Sequence, residues 1–204
     1  MDQNTSFTPE TKKGYNLMEA SSAFQKAVRR GLEDVALYFA VEMFNSNYGE
    51  YVWKRIKIIS SEDIGLAEPN CPAIIQGLYQ SYVEQVKKKD TKHFPERLFL
   101  VHAILYLCRA KKSRLIDWTL LYYWEKHDKE YMEIPDFAFD QHNGKGRRMG
   151  RSLKHFYEEG SQLSNHVPQD GEGEMRKLSY EEKTGARVGD TVNMFPENQI
   201  EETK

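Results

Sequence analysis

Residues 50–69 read EYVWKRIKIISSEDIGLAEP, and this stretch decides how the chain around it is interpreted. Val52, Ile56 and Ile59 recur at intervals of four and three residues, which places them on one face of an α-helix. The basic residues between them fall mainly on the other faces. Gly65 follows as a typical C-terminal stop for a helix. The stretch therefore predicts an amphipathic helix over about residues 50–61, followed by a turn.

The same helical spacing continues on both sides of this stretch. No segment alternates apolar and polar residues in the way that a half-buried strand does. Residues 1–16 are polar, and from residue 167 onward nine acidic residues outnumber five basic ones while apolar content falls. We therefore predict an all-α fold, a compact bundle of about six to eight helices over residues 17–166. A flexible N-terminus, residues 1–16, and an acidic disordered tail, residues 167–204, complete the prediction.

Composition limits the class of protein. The chain has 204 residues, of which 39% are hydrophobic, and its net charge of −2 gives no overall attraction to nucleic acid. Cys71 and Cys108 form no CxxC pair, which argues against a zinc site and is typical of a reducing compartment. The longest apolar stretch, residues 98–108, is about half as long as a membrane span. The sequence predicts a cytoplasmic protein with no metal, no cofactor and no membrane partner.

Motifs that carry catalysis are missing from these residues. No phosphate-binding P-loop occurs, and no HExxH motif occurs among the six histidines. Gly144, Gly146 and Gly150 are spaced one residue too widely for a dinucleotide fingerprint and follow no predicted strand. No nucleophile and base can be paired from the sequence. We therefore predict no catalytic residues and no enzymatic activity.

One concentrated cluster of positive charge lies in residues 142–154. Its members are Lys145, Arg147, Arg148, Arg151 and Lys154. Two glycines allow the backbone there to approach a ligand closely, so one interpretation is a contact with the phosphates of nucleic acid. The other is a solvated loop whose charges pair with Glu158 and Glu159 or with the acidic tail.

A second feature is the density of aromatic residues in the helix predicted after Ser113. Tyr122, Tyr123 and Trp124 are more than one core-facing stripe requires. An exposed aromatic patch is typical of a protein interface. Packing of these rings inside the core of one larger chain accounts for them equally well at this point.

Three stretches together resemble one protein family. Residues 22–29 read SAFQKAVR and are followed by ALY at 36–38, residues 55–69 read RIKIISSEDIGLAEP, and residues 105–113 read LYLCRAKKS. In order and spacing they are similar to the C-terminal region of the RarA (MgsA) family of AAA+ ATPases, which includes the Werner-helicase-interacting proteins. The stretch SEDIGLAEP is the most specific of the three.

The resemblance implies a helical region that follows an ATPase motor, is similar to a clamp-loader collar and assembles as a tetramer. It implies structural rather than catalytic roles for the residues that match the family's motifs, which are Ser61, Glu62, Asp63, Ile64, Gly65, Lys112 and Ser113. The sequence departs from the family at Ala110-Lys111, where the family has Ala-Pro, and the likeness weakens after Pro135. The motor's own motifs are not among these residues, so the resemblance implies no ATP-driven activity here.

Three hypotheses follow. The leading one is a non-catalytic oligomerisation or scaffold module associated with DNA replication, recombination or repair. Its partners would be other copies of itself, as a tetramer by resemblance, and DNA or a replication or repair protein. The alternative is a nucleic-acid-binding accessory protein that uses the basic segment 142–154. The third is an enzyme in which a pocket joins His102 or His142 to Glu62 or Asp63.

Overall fold

The computed structural model describes residues 9–90 and 92–185. Over these ranges every regular element is helical, and the β-type pairing is an isolated bridge between Glu10 and Asn16. The predicted all-α class is therefore confirmed. The chain forms two compact units, Met1–Tyr131 and Met132–Lys204, where the sequence predicted one helical domain over residues 17–166. The boundary falls there because residues 127–138 are all exposed and bury nothing in either core.

Six of the described α-helices belong to the first unit. They are α1 (Leu17–Arg30), α2 (Glu33–Met43), α3 (Gly49–Ile59), α4 (Cys71–Lys88), α5 (Glu96–Arg109) and α6 (Leu115–His127). The face predicted from residues 50–61 is confirmed, because Val52, Ile56 and Ile59 are all 0% exposed. They join Phe24 of α1 and Ile104 of α5, which are also 0% exposed, in one apolar core.

The start of the chain is more ordered than predicted. Residues 1–8 lie outside the described residues, but residues 9–16 pack against the end of α2. The backbone N–H of Lys13 donates to Oε1 of Glu42 at 2.9 Å, and that of Lys12 donates to Oγ of Ser46 at 2.9 Å. In residues 9–16, within the predicted flexible N-terminus, hydrogen bonds to side chains hold a segment that has few apolar residues to bury.

The second unit contains α7 (Gly144–Arg148), α8 (Leu153–His155) and α9 (Glu172–Thr184). Helix α9 lies within residues 167–204, which the sequence predicted as an acidic disordered tail, and the structure gives residues 172–184 a helical conformation. The physical reason is a local aromatic pair: Tyr180 packs on Tyr157 with ring centroids 5.2 Å apart, and both residues are less than a tenth exposed. Residues 186–204 of the predicted tail lie outside the described residues.

None of the helices described for this chain combines the length and the apolar character needed to cross a membrane.

Truncating a buried side chain of α5 tests the core of the first unit. We expect Ile104→Ala to lower the free energy of unfolding by about 2–5 kcal/mol, because it leaves a cavity that the surrounding helices cannot fill. Urea unfolding followed by tryptophan fluorescence measures this. The matched control is Leu98→Ala in the same helix, where the side chain is 68% exposed and the expected change is below about 0.5 kcal/mol. Equal losses in both variants would contradict the assigned core.

Candidate functional site

The signature turn, residues 60–65, follows α3 directly. Ser60–Ile64 forms one wide helical turn, and Gly65 ends it by donating its backbone N–H to the carbonyl of Ser60. Gly65 has a φ of 51°, in the left-handed region that favours glycine. A Cβ at this position would also lie 2.9 Å from Cδ1 of Ile116 in α6. Backbone conformation and close approach of α6 therefore both require glycine here.

Asp63 places a carboxylate in the interior of the first unit. Its side chain is 0% exposed, and the Nε of Arg29 donates to Oδ1 at 2.6 Å. The Nε2 of Gln25 donates to Oδ2 at 3.0 Å. The Nε of Arg114 lies 3.7 Å from Oδ1, which is an ion pair without a hydrogen bond. A buried charge is tolerated only with this kind of pairing, so Asp63 fixes α1 and the residue before α6 to one point.

Glu62 extends the network outward. The Nη2 of Arg29 donates to its Oε1 at 3.1 Å, and the Nη2 of Arg114 lies 3.5 Å from the same oxygen. Arg114 also pairs with Asp117, in the first turn of α6. Two arginines therefore bridge three carboxylates, and the bridge connects α1, the signature turn and α6.

The second signature element meets the first at this point. The Nζ of Lys112 donates to two carbonyls at the end of α5, at 2.7 and 2.9 Å, and so closes that helix. The backbone N–H of Ser113 donates to the carbonyl of Asp63 at 3.0 Å. The Oγ of Ser113 accepts from the N–H of Leu115 at 3.2 Å, at the start of α6. The signature residues thus set where α5 ends and α6 begins.

Lys111, the departure from the family pattern, has a specific contact. Its backbone N–H donates to Oε1 of Glu68 at 2.8 Å, a bond that proline cannot make because it has no N–H. The hydroxyl of Tyr106 donates to the other oxygen at 3.0 Å. Both hydrogen bonds hold the pKa of Glu68 below its usual value, and the bond from Lys111 has the larger effect. Burial, and then the bond to Glu68, raises the pKa of Tyr106 to about 12.

Most residues of α6 are exposed. None of its residues is buried, and Tyr122, Tyr123 and Trp124 are 57%, 56% and 72% exposed. Within the described residues these rings therefore do not pack into the core of the first unit. The aromatic side chains of α6 form a surface whose orientation is fixed by the charge network at the start of the helix.

The basic segment is built differently from the predicted loop. Residues 144–148 form the short helix α7, and Oδ1 of Asn143 caps it by accepting from the N–H of Gly146 at 2.9 Å. Arg151 is turned inward: its side chain is 15% exposed, pairs with the carboxylate of Asp136 and donates to the carbonyl of Phe139 at 2.8 Å. It connects parts of its own unit.

Three further members of the basic cluster also have partners within the second unit. The Nζ of Lys145 lies 3.9 Å from the centre of the Phe139 ring. Arg147 donates to the carbonyl of Gln141 at 3.1 Å, and Lys154 lies 3.7 Å from Glu158. Pairing with Glu158 is the arrangement that the solvated-loop interpretation predicted. Arg148 is exposed and completes the cluster.

Sequence reasoning missed Arg29 and Arg114 as partners of the signature carboxylates. Arg29 closes the SAFQKAVR stretch and Arg114 follows Ser113 directly, so both positions carried a signal. Arg29 and Asp63 are 34 positions apart in the sequence, and no sequence pattern indicated that they pair. Because both carboxylates bind arginine in the described structure, the enzyme hypothesis that used Glu62 or Asp63 as an acid or base has no support there.

Neutralising the buried carboxylate tests the network. We expect Asp63→Asn to lower the free energy of unfolding by about 3 kcal/mol, because Arg29 and Arg114 then lose their buried counter-charge. Urea unfolding measures the loss, and faster tryptic cleavage within α6 reports its release. The control is Asp128→Asn, whose side chain is 88% exposed. If the Asp63→Asn protein were as stable as the control, the charge network would not stabilise the position of α6.

Comparison with known proteins agrees with the resemblance seen in the sequence. A family model described as "MgsA AAA+ ATPase C terminal" matches residues 32–188. The chain is 27% identical over 161 residues to replication-associated recombination protein A of Bacillus subtilis (strain 168), a match that covers 76% of the chain and 35% of that protein. It is 30% identical over 127 residues to ATPase WRNIP1 of Dictyostelium discoideum, covering 60% of the chain and 13% of that protein. The chain spans 35% or less of these relatives' length, and it belongs to the MgsA AAA+ ATPase C-terminal family.

Proposed function

We propose that the chain is a non-catalytic assembly module that binds further copies of itself through the exposed surface of α6. The observation that carries this proposal is the exposure of large apolar side chains along a single helix. They are between 38% and 72% exposed, and they are Leu115, Ile116, Trp118, Leu120, Leu121, Tyr122, Tyr123 and Trp124. A contiguous apolar surface of this kind is unfavourable in water and marks a site of association.

The composition of the surface fits a protein partner. Tryptophan and tyrosine provide large contact areas with few rotatable bonds, and they are enriched among the residues that dominate binding energy. Burying one such side chain contributes roughly 1.5–3 kcal/mol, so a few rings from each copy outweigh the entropy lost on association. We take the partner to be a second copy because the family resemblance implies a tetramer.

The charge network supports the same proposal. Glu62, Asp63 and Asp117 hold Arg114 at the start of α6, so the helix presents its rings in a fixed direction before any partner binds. A preorganised surface loses less conformational entropy on association. The relatives are a replication-associated recombination protein and an ATPase, and we propose that this module serves an assembly of DNA replication, recombination or repair.

Nucleic-acid binding through residues 142–154 has weaker support. Arg151 is engaged with Asp136, and the other charges largely contact their own unit. A net charge of −2 provides no compensating attraction to phosphate.

Light scattering on a size-exclusion column tests self-association. We expect the full chain to elute with a mass of about four times 23.9 kDa and to dissociate only on strong dilution. A mass of 23.9 kDa at every concentration would contradict the proposal.

Substitution locates the interface. Leu121→Asp combined with Trp124→Asp places charge in the centre of the apolar surface, and we expect the dissociation constant to rise at least about 100-fold. Leu98→Asp is the control, because Leu98 of α5 is 68% exposed and Leu121 is 60% exposed. Circular dichroism checks that all three proteins keep their helices. If Leu98→Asp alone dissociated the assembly, the interface would lie on α5 and the proposal for α6 would be contradicted.

A further inference from the structure

A groove of about 600 Å³ opens on the first unit, and no residue of α6 lines it. It lies between the segment that precedes α3, the C-terminal half of α4 and the start of α5. Its apolar walls are Phe44, Tyr82, Val86 and Phe94. Glu50 and Glu96 place carboxylates beside these walls. An apolar space with a few convergent polar groups is the usual form of a binding site.

Glu96 is the most informative of these groups. Its side chain is only 14% exposed, yet its carboxylate accepts no hydrogen bond within the described residues. The ion pair that it makes, with Nε of Arg97, spans 3.9 Å, which is too long for a hydrogen bond. A carboxylate this enclosed normally binds a cation or several donors. Glu96 therefore faces the groove with most of its capacity to accept hydrogen bonds unused.

Tyr82 and Glu50 complete the polar side of the groove. Tyr82 is 5% exposed, and its hydroxyl forms no hydrogen bond in the part of the chain that the structure describes. Burial, and then the charges of Glu50 and Glu96, raises the pKa of Tyr82 to about 12, so the hydroxyl keeps its proton. Glu50 accepts from the hydroxyl of Tyr79 at 2.9 Å through one oxygen, Oε2. Two carboxylates and one phenol thus surround one small volume.

The other charged groups of the lining are Asp90 and Lys89. Asp90 is occupied by its own loop, because it accepts from the backbone N–H groups of Lys92 and His93 at 2.9 and 3.1 Å. The lining therefore holds three carboxylates and one ammonium, while the neighbouring cation Arg97 lies outside the lining with its side chain 54% exposed. The electrostatics of the groove therefore favour a cationic occupant.

Three residues that line the groove have left-handed backbone conformations. Asn47, Lys89 and Phe94 have φ values of 68°, 52° and 50°, and all three line the groove. Only one other non-glycine residue in the described chain, Asn165, has a positive φ. A bulky residue such as phenylalanine adopts this region at a cost, and such strain concentrates at binding sites.

Gly49 is packed closely against two other residues that line the groove. A Cβ at Gly49 would lie 3.2 Å from the ring of Phe44 and 3.3 Å from the hydroxyl of Tyr82. Any larger residue would narrow the space between these two groups. Glycine at this position therefore leaves the Phe44 ring and the Tyr82 hydroxyl in their places along the groove.

We propose that this groove binds an arginine side chain carried by an otherwise apolar segment of a partner protein. A guanidinium is planar, stacks on aromatic faces and donates to carboxylates, which matches Phe44, Glu50 and Glu96. The ring of Phe94 already carries the guanidinium of the chain's own Arg97, 3.9 Å from the ring centre. Arginine fits better than lysine because a guanidinium is more weakly hydrated and loses less on entering an aromatic groove. The proposal uses no residue of α6 and stands independently of self-association.

A peptide probe tests the groove directly. The probe is an acetylated, amidated peptide Gly-Leu-Arg-Leu-Gly, and the matched probe replaces arginine by citrulline, which has the same shape without the charge. The readout is the methyl signals of Val86 in the full chain, labelled with carbon-13 on its valines. We expect saturable shifts with the arginine peptide and at least tenfold weaker binding of the citrulline peptide.

Variants identify the carboxylate that binds. Glu96→Gln is expected to weaken binding of the arginine peptide at least tenfold, and Glu50→Gln by a smaller factor. Glu84→Gln is the control, because Glu84 is an exposed residue of α4 outside the groove lining and its loss changes net charge equally. Unchanged thermal unfolding confirms that each variant folds.

Three outcomes would overturn the proposal. Equal binding of both peptides would assign the groove to an apolar segment without a cation. Equal weakening by Glu96→Gln and Glu84→Gln would reduce the effect to general surface charge. If the signals of Val86 showed no saturable shift up to millimolar peptide, the groove would not be a binding site for this peptide. None of these outcomes bears on association through α6, which light scattering measures separately.

Discussion

The ion pair between Asp63 and Arg29 is the constraint on which the first unit depends. A carboxylate that is 0% exposed must be paired, and its partners are Arg29 and Gln25 of α1 and Arg114, the residue that precedes α6. Such pairs add little net stability compared with apolar packing, but they tolerate only one geometry. We infer that the pair selects the arrangement of these helices, while the surrounding aliphatic core provides most of the free energy of folding.

This geometry explains the roles of the signature residues together. Asp63 and Glu62 bind the arginines, Gly65 allows α6 to approach, and Ser113 joins the start of α6 to the backbone of Asp63. Lys112 closes the preceding helix. Residues about 50 positions apart in the chain therefore serve one junction, which accounts for their appearance as two separate motifs. The exchange of proline for Lys111 keeps this junction and adds a backbone hydrogen bond to Glu68.

Periodicity predicted what depends on local pattern. The apolar face of α3 and the all-α class follow from the spacing of Val52, Ile56 and Ile59, because a helix that buries one face must repeat its apolar residues every three or four positions. Charge pairing across the fold was not predictable in this way, since ion pairs leave no periodic trace. The contacts of residues 9–16 and of α9 were not predictable from composition, because composition measures average apolar content. A single buried ring pair, or a few hydrogen bonds to side chains, can order a polar segment.

Helix α6 is held by charged contacts near its N-terminal end. A small tilt at that end therefore moves the far end of the helix by a larger distance. Its charged contacts lie at Arg114 and Asp117, while Trp124 lies seven residues farther along, about 10 Å at the rise of an α-helix. A tilt of roughly 10° at the anchored end displaces that ring by about 2 Å, which is more than a packed interface tolerates. A substitution of Arg114 or Asp117 therefore changes the orientation of the aromatic surface of α6 without contacting that surface directly.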